Sequence, residues 1–140
     1  MTVATVVCDD NRFLLVRERD DGRLVYNQPA GHVEPGEAIA DAALRETLEE
    51  TGWRVSLQSY LGTYQYHASN NGIHYVRHCF IARPLQQIND SPPDSDIEAA
   101  IWLTRDEVVG LQDKLRSPMV LRAIDDYQNA PHYPLSVFRP

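Results

Sequence analysis

Short runs of apolar residues alternate with polar turns along most of the chain, a pattern typical of a protein rich in β-strands. Residues 9–11 and 20–22 have the composition of hairpin turns, and residues 70–72 contain the Asn-Gly pair that favours a two-residue turn. The predicted strands are residues 2–8, 12–19, 23–26, 53–66, 73–82 and 98–103, with Gly62 as a candidate break in the fourth.

One segment has the period of a helix and carries three glutamates on one side. With Ile39 as the origin and about 100° per residue, Glu46, Glu49 and Glu50 fall at about 340°, 280° and 20°. Like charges three and four residues apart repel each other, so this cluster makes most sense if a divalent cation binds it. The opposite side, predicted to pack, holds small and apolar residues: Ala40, Ala43, Leu44, Thr47 and Leu48.

The residues on either side of this segment predict where the helix begins and ends. Pro35-Gly36 occupies the centre of a type II turn, where the second residue needs a positive φ. Glu37 follows at the predicted helix start, where free backbone N–H groups favour a carboxylate. Gly52 comes directly after the last periodic residue and predicts the end of a helix of about 13 to 14 residues.

Two further helices are predicted late in the chain. Thr104 is a good N-cap for a helix through residue 111, and Ser117-Pro118 has the cap and first-turn residues of a helix that runs to about residue 128. Residues 84–97 form the longest predicted irregular segment. Strands with one central helix and two late helices indicate an α/β or α+β domain.

Composition limits the function classes. A length of 140 residues with 43% hydrophobic and 24% charged residues predicts one domain, residues 1–140. The net charge of −7 argues against a nucleic-acid polymer as a partner, but not against a small phosphorylated substrate that binds with cations.

The predicted location is the cytoplasm. No apolar run reaches the length of a membrane span, and the first residues lack the basic leader of a signal peptide. Cys8 and Cys79 lie in separate strand-like runs and are predicted to be two buried thiols rather than a disulfide or a metal pair.

The stretch from Gly31 to Trp53 resembles the Nudix box, the sequence signature of the Nudix hydrolases. Thr47 and Trp53 differ from the pattern, at positions where it has an aliphatic residue. All the fixed residues of the pattern are present at the right spacing: Gly31, Glu37, Arg45, Glu46, Glu49, Glu50 and Gly52.

Other short motifs are similar to those of the NudJ-type phosphatases within this family. They are residues 27–32 before the box and residues 115–118, 127–128 and 133–135 near the end of the chain. With them the resemblance covers nearly the whole chain. The late motifs have no chemical role that their residue types alone reveal.

The resemblance implies a fold and a set of functional residues. The implied fold is an α/β/α sandwich around a mixed sheet, with the box helix against the sheet. Mg²⁺, or Mn²⁺, would be held by Glu46, Glu49 and Glu50 with the carbonyl of Gly31, and Glu50 or Glu49 would also act on the attacking water. Arg45 would orient Glu49 or Glu46, while Glu37 and Gly52 would support the box structurally.

Substrate contacts are less specific in the sequence. Beside the long irregular segment lie Asp94, Asp96 and Glu98, of which the last two are preferred as an additional acidic group. Each remaining candidate also has a structural explanation, such as a loop hydrogen bond or a cross-strand charge. The predicted substrate-binding residues are Gln28, His32, Arg77, Asp96 and Glu98.

The predicted activity is the Mg²⁺-dependent hydrolysis of phosphoanhydride bonds. By resemblance, the substrates are nucleoside di- and triphosphates and the diphosphates of thiamine or its hydroxymethylpyrimidine precursor, with release of phosphate. One alternative is a hydrolase of dinucleotides or nucleotide sugars, which would release a nucleoside monophosphate. Another is a nucleotide sensor without catalysis, although such domains usually lack box carboxylates that this chain has. The expected state is a monomer or a homodimer.

Overall fold

The computed structural model describes residues 1–69, 71–90, 94 and 96–139. The strands are β1 (Thr2–Asp9), β2 (Arg12–Asp20), β3 (Arg23–Asn27), β4 (Ala30–His32), β5 (Trp53–His67), β6 (His74–Gln87) and β7 (Ile97–Thr104). The α-helices are α1 (Ile39–Thr51), α2 (Arg105–Val109) and α3 (Met119–Asn129), and short 3-10 turns lie at Gln112–Lys114 and Leu135–Val137.

The sheet is mixed, as predicted, and β1 lies at its centre. β1 runs parallel to β6, with Thr2 opposite Arg77 and Val7 opposite Ala82. Its first residues pair antiparallel with β4, and its last residues pair antiparallel with β2. β5 pairs with β6, while β3 and β7 pair with β2, all antiparallel. The beginning of β1 is therefore flanked by the box loop and by β6.

The helices cover both faces of the sheet. Because side chains alternate along a strand, Val3 packs on one face against Ala42 and Ala43 of α1. Val6 packs on the other face against α3, in a cluster with Val120. Both faces of β1 are thus buried, and the α/β/α sandwich predicted by resemblance is confirmed.

The predicted end of β6 at residue 82 is wrong, because the strand continues to Gln87. Pro84 suggested a break, but it lies beside a register shift in β5, where a proline is tolerated. The irregular segment is correspondingly shorter, and Pro92-Pro93 within it lies outside the described residues. β5 also passes Gly62 without ending, because a second register shift between Tyr60 and Gly62 absorbs the irregularity.

Residues 30–32, predicted as loop, form the short strand β4 against the beginning of β1. The predicted turn at residues 70–72 includes Asn70, which is not among the described residues. On either side of it His67 pairs with His74, so the hairpin itself is confirmed.

Some predicted helix boundaries are confirmed and others are shifted, since α1 begins at Ile39 rather than at Glu37, and α3 begins at Met119 rather than at Pro118. Thr104 forms a complete capping box with Glu107, and the Ser117 hydroxyl accepts a hydrogen bond from the Met119 N–H at 3.2 Å. Gly52 has a φ of 76° and its N–H donates to the Leu48 carbonyl, as expected at a helix end. The helix predicted to reach residue 111 is wrong, because α2 ends at Val109 and continues into irregular turns.

Two predictions drawn from composition agree with the structure. Cys8 is half-buried and Cys79 is fully buried, and both are free thiols. Within the described ranges, no helix has both the length and the apolar character needed to cross a membrane.

Candidate active site

The face of helix α1 that packs on the sheet includes one of the box carboxylates. The predicted division of the helix into an apolar packed side and a charged exposed side is therefore wrong. Leu44, predicted to pack, is exposed, whereas Glu50 is buried. The Thr47 hydroxyl lies 2.8 Å from the Thr5 hydroxyl of β1, so small polar side chains bring the helix close to the sheet. The buried residues of α1 are Ala42, Ala43, Thr47, Glu50 and Thr51.

Glu50 lies between α1 and the box loop and is only 8% exposed. Its Oε1 accepts a hydrogen bond of 2.8 Å from the Ala30 N–H. Burial raises the pKa of Glu50 to about 8, and the charges of Glu18, Glu46 and Asp94 act in the same direction. In the absence of a cation, burial therefore favours the protonated form of this carboxyl group.

Arg45 connects the box loop to the helix through several carboxylates. Its Nε and Nη2 donate to the two carboxylate oxygens of Glu37 at 2.7 and 2.9 Å, a bidentate pair. Its Nη1 donates to Glu46 at 2.8 Å and to Glu49 at 3.2 Å, and its Nη2 also donates to the His32 carbonyl at 3.0 Å. The hydrogen bonds from Arg45 lower the pKa of Glu37 to about 2 and in turn raise the pKa of Arg45.

Gly31 leaves space for the Glu46 carboxylate. A Cβ atom at residue 31 would clash with all three atoms of that carboxylate group. Because the space is free, the Glu46 side chain lies against β4, with 15% of its surface exposed. Burial raises the pKa of Glu46, and the hydrogen bond from Arg45 partly offsets that effect.

A cavity of about 690 Å³ opens where the box helix, β4 and the beginning of β6 meet. Glu46 and Glu50 contribute carboxylates to its wall, and Arg77 of β6 and Arg116 contribute guanidinium groups. His32 lines the same cavity. A smaller cleft of about 310 Å³ between β5 and α3 contains no residue of the box. The larger cavity is thus the candidate active site.

The box carboxylates do not form a closed metal cage in this conformation. Within the described ranges, no three His, Cys, Asp or Glu side chains gather closely enough to hold an ion. The reason lies in their hydrogen bonds, since Arg45 holds Glu46 and Glu49, and the Ala30 N–H holds one oxygen of Glu50. The donor set consists of oxygen atoms only, which fits Mg²⁺ or Mn²⁺ in its chemistry.

Three predicted substrate residues, Gln28, Asp96 and Glu98, do not line this cavity. Gln28 is 1% exposed, and its Nε2 donates to the Val120 carbonyl at 2.7 Å, so its side chain ties the box loop to α3. Glu98 forms an ion pair with Arg19 at 2.7 Å. Neither side chain lines the cavity, and this placement argues against substrate contacts for Gln28 and Glu98.

The acidic group that acts on the box from the long segment is Asp94 rather than Asp96. The charge of Asp94 raises the pKa of both Glu46 and Glu50. Asp96 does not line the cavity, and its backbone N–H donates to Asp94 Oδ1 at 2.9 Å. The sequence placed three acids in this segment but had no signal to choose among them, because the choice depends on the path of the chain.

Comparison with known proteins agrees with this geometry. The model of the NUDIX domain family matches residues 1–123. The chain belongs to the NUDIX family. It is 36% identical over 137 residues to the Phosphatase NudJ of Escherichia coli strain K12 and to that of Shigella flexneri, covering 98% of this chain and 88% of each relative. The predicted family is therefore confirmed, and the protein is a Nudix hydrolase of the phosphatase or pyrophosphatase type.

Solved structures show the same fold. A NUDIX hydrolase from Nitrosomonas europaea is 38% identical and superimposes with a TM-score of 0.95, over 99% of this chain and 95% of that one. A UDP-X diphosphatase is 21% identical with a TM-score of 0.75, over 94% of this chain and 64% of that one, and it shares the Nudix fold.

Proposed function

We propose that this Nudix hydrolase uses Mg²⁺ or Mn²⁺ to cleave phosphoanhydride bonds in small phosphorylated molecules. The proposed substrates are nucleoside di- and triphosphates and thiamine-type diphosphates, including hydroxymethylpyrimidine diphosphate, with release of orthophosphate. The observation that carries the proposal is the cavity of about 690 Å³, in which the carboxylates of Glu46 and Glu50 lie beside arginines. Such a wall is complementary to a phosphate chain with bound cations, because the carboxylates attract the cations and the arginines attract the phosphate oxygens.

Glu46, Glu49 and Glu50, with the Gly31 carbonyl, are the proposed metal ligands. When bound, the divalent ion neutralises charge on the phosphate oxygens and makes a water molecule a better nucleophile. Two features of the chain support this proposal. Burial near like charges leaves Glu50 in need of a cation, and Gly31 gives the Glu46 carboxylate space beside the loop backbone.

The side chains of the box have distinct proposed roles around the reacting phosphate. Arg45 fixes the directions of Glu46 and Glu49 and ties them to the loop through Glu37. Glu50 accepts a hydrogen bond from the Ala30 N–H through Oε1, which leaves Oε2 facing other partners. A divalent ion held by the box would favour the ionised form of Glu50, and Oε2 would then be available to accept a proton from the attacking water.

The substrate proposal has a direct test in a panel assayed with Mg²⁺, in which orthophosphate, pyrophosphate and nucleoside monophosphate are measured separately. Thiamine diphosphate and nucleoside diphosphates should be hydrolysed with kcat/KM about 10²-fold higher than the matched monophosphates. A monophosphate lacks the phosphate leaving group that bound cations stabilise. Similar values for the members of each pair would indicate a general phosphomonoesterase and contradict the proposal.

The metal proposal has a separate test. Turnover of every substrate should stop in excess chelator and return on addition of Mg²⁺, with Mn²⁺ as a second ion. Full turnover in chelator would exclude the proposed mechanism.

We further propose that residues 1–140 form a single domain, supported by the packing of Phe138 against Tyr60 and Phe80. The cytoplasmic location, the lack of a nucleic-acid partner and the oligomeric state stay predictions.

A further inference from the structure

Arg77 is a half-buried arginine on the wall of the candidate active site. Its Nε is shielded from solvent and makes no hydrogen bond. In the part of the chain that the structure describes, no carboxylate oxygen lies within 4.0 Å of its nitrogen atoms. Burial lowers the pKa of Arg77, which shows that its surroundings disfavour the charged form. A buried, unpaired guanidinium destabilises a folded protein, so its presence on a cavity wall points to a ligand.

Arg116 stands near Arg77 and is held in a fixed position. Its Nη1 donates to the buried Glu18 at 2.6 Å, and its backbone N–H donates to the Tyr26 carbonyl at 2.8 Å. The charge of Arg116 also lowers the pKa of Arg77, so the two guanidinium groups are close enough to repel each other. Glu18 is therefore hydrogen-bonded to Arg116, whereas the Nε of Arg77 makes no hydrogen bond.

We propose that Arg77 and Arg116 form an anion-binding site that holds a phosphate group of the substrate on the cavity wall away from α1. The planar fork of each guanidinium matches a tetrahedral oxyanion, and two such forks can bind different oxygens of one phosphate. The carboxylates of Glu46 and Glu50 repel that anion, so they receive phosphate oxygens only through cations. The substrate is thus oriented in the cavity because one wall carries carboxylates and the other carries guanidinium groups.

This site gives a role to the segment at residues 115–118, whose residue types alone reveal none. Leu115 forms a β-bridge with Tyr26 of β3, and the Ser117 hydroxyl accepts a hydrogen bond from the first residue of α3, so the backbone is held on both sides of Arg116. The inference rests on the proposed function for the identity of the ligand, but the anion site itself can be measured without turnover.

The test is isothermal titration of pyrophosphate and of orthophosphate into metal-free protein in chelator. The wild-type chain should bind pyrophosphate, and Arg77→Gln should weaken that affinity about 10-fold or more, the equivalent of one well-placed charged contact. Arg116→Gln should weaken it as well, and Arg77→Lys should retain part of it. Arg83→Gln is the matched control, because Arg83 lies six residues along the same strand, is exposed and contacts Gln58.

A thermal melt of the ligand-free protein separates binding from a structural role. Arg77→Gln should melt at the same temperature as the wild type or higher, because it removes an unpaired buried charge. Unchanged pyrophosphate affinity in Arg77→Gln, a lower melting temperature or a loss of folding would each overturn the inference. So would an absence of pyrophosphate binding to the wild-type chain.

Activity assays distinguish a wrong anion site from a wrong proposed function. If the wild type binds pyrophosphate through Arg77 but hydrolyses no phosphoanhydride, the anion site stands and the proposed function is wrong. If the wild type hydrolyses diphosphates and Arg77→Gln has the same KM and the same pyrophosphate affinity, the proposed function stands and the anion site is wrong.

Discussion

Arg45 and Arg77 carry the same side chain at the same candidate site, and their surroundings are opposite. Arg45 donates hydrogen bonds to Glu37, Glu46 and Glu49 and has a raised pKa. Arg77 has a buried Nε without a partner and a lowered pKa. The protein itself satisfies the first charge and leaves the second for something that the cavity receives.

The difference teaches how one cavity can combine stability with binding. The contacts of Arg45 join the loop and α1 into one unit and hold carboxylates in defined directions. Arg77 makes no comparable contribution to folding, and its desolvation lowers the stability of the empty site. Residues that destabilise the empty protein in this way are expected where a ligand binds.

The largest expected effect concerns Glu50, which lines the same cavity as Arg77. Glu50→Gln should lower kcat by at least about 10²-fold, the scale found when one well-placed electrostatic group is removed. The fold should remain intact, and the metal-free melting temperature at neutral pH should rise, because burial disfavours the ionised form of Glu50 whereas Gln carries no charge. Steady-state kinetics and a thermal melt provide the measurements.

Glu98→Gln is a suitable control for that experiment, because Glu98 pairs with Arg19 outside the cavity and its removal should change kcat less than about 2-fold. Equal activity of Glu50→Gln and the wild type would move the reacting centre away from α1.

The second prediction compares the contributions of Arg45 and Arg77 to the free energy of unfolding. Arg45→Gln should lower the free energy of unfolding by about 2 kcal/mol, since it removes charged hydrogen bonds and leaves carboxylates without their partner. Arg77→Gln should leave that free energy unchanged or raise it. Urea denaturation in chelator, without phosphate, measures both variants under one condition. A decrease of similar size in both variants would show that Arg77 stabilises the fold as much as Arg45 does.

The third prediction uses the pH dependence of stability. The pKa of Glu50 is about 8 in the folded protein, above its ordinary value of 4.5, so its contribution to stability is complete below about pH 4.5. That contribution is lost as the pH rises through 8. Relative to Glu50→Gln, the metal-free wild type should lose stability by up to about 1 kcal/mol per pH unit in this window.

Urea midpoints at several pH values between 5 and 8 measure this difference, and subtracting the Glu50→Gln curve removes the contribution of the other carboxylates. A difference curve that is flat with pH would show that Glu50 is charged at neutral pH and that its burial has little electrostatic effect.

The smallest effect concerns the orientation of α1, which brings Arg45 and Glu50 to their places. Leu44→Ala should change the free energy of unfolding by less than about 0.5 kcal/mol, because Leu44 is exposed. Thr47→Val should lower it by about 1 kcal/mol, because the buried Thr47 hydroxyl bonds Thr5 and the Ala43 carbonyl. The reverse order would show that the predicted apolar face of the helix was right.

Local spacing predicted much of the candidate site. The turn at Pro35-Gly36, the end of the helix at Gly52 and the closeness of Arg45 to Glu49 all depend on residues a few positions apart. Such contacts follow from the geometry of a turn and of a helix, so the sequence alone contains them. The hairpins after β1 and β2 were predicted for the same reason.

Contacts between distant residues were not predictable in this way. Gln28 was expected at the substrate, but its side chain binds the Val120 carbonyl, 92 residues away. The charge of Asp94 raises the pKa of Glu46 and of Glu50, although three acids near that position were equivalent by sequence.

The sequence by itself determined the family, the order of the main strands and helices, and the residues of the box. Each of these depends on patterns of residues that are close together in the sequence. Only the tertiary structure decided which face of α1 is buried and that, among the described residues, the Nε of Arg77 has no hydrogen-bond partner. Thr47 meets Thr5 across 42 residues, and Glu50 is buried together with Thr47. Burial of a charge and the presence of a partner are properties of the packed arrangement, and no local pattern of residue types specifies them.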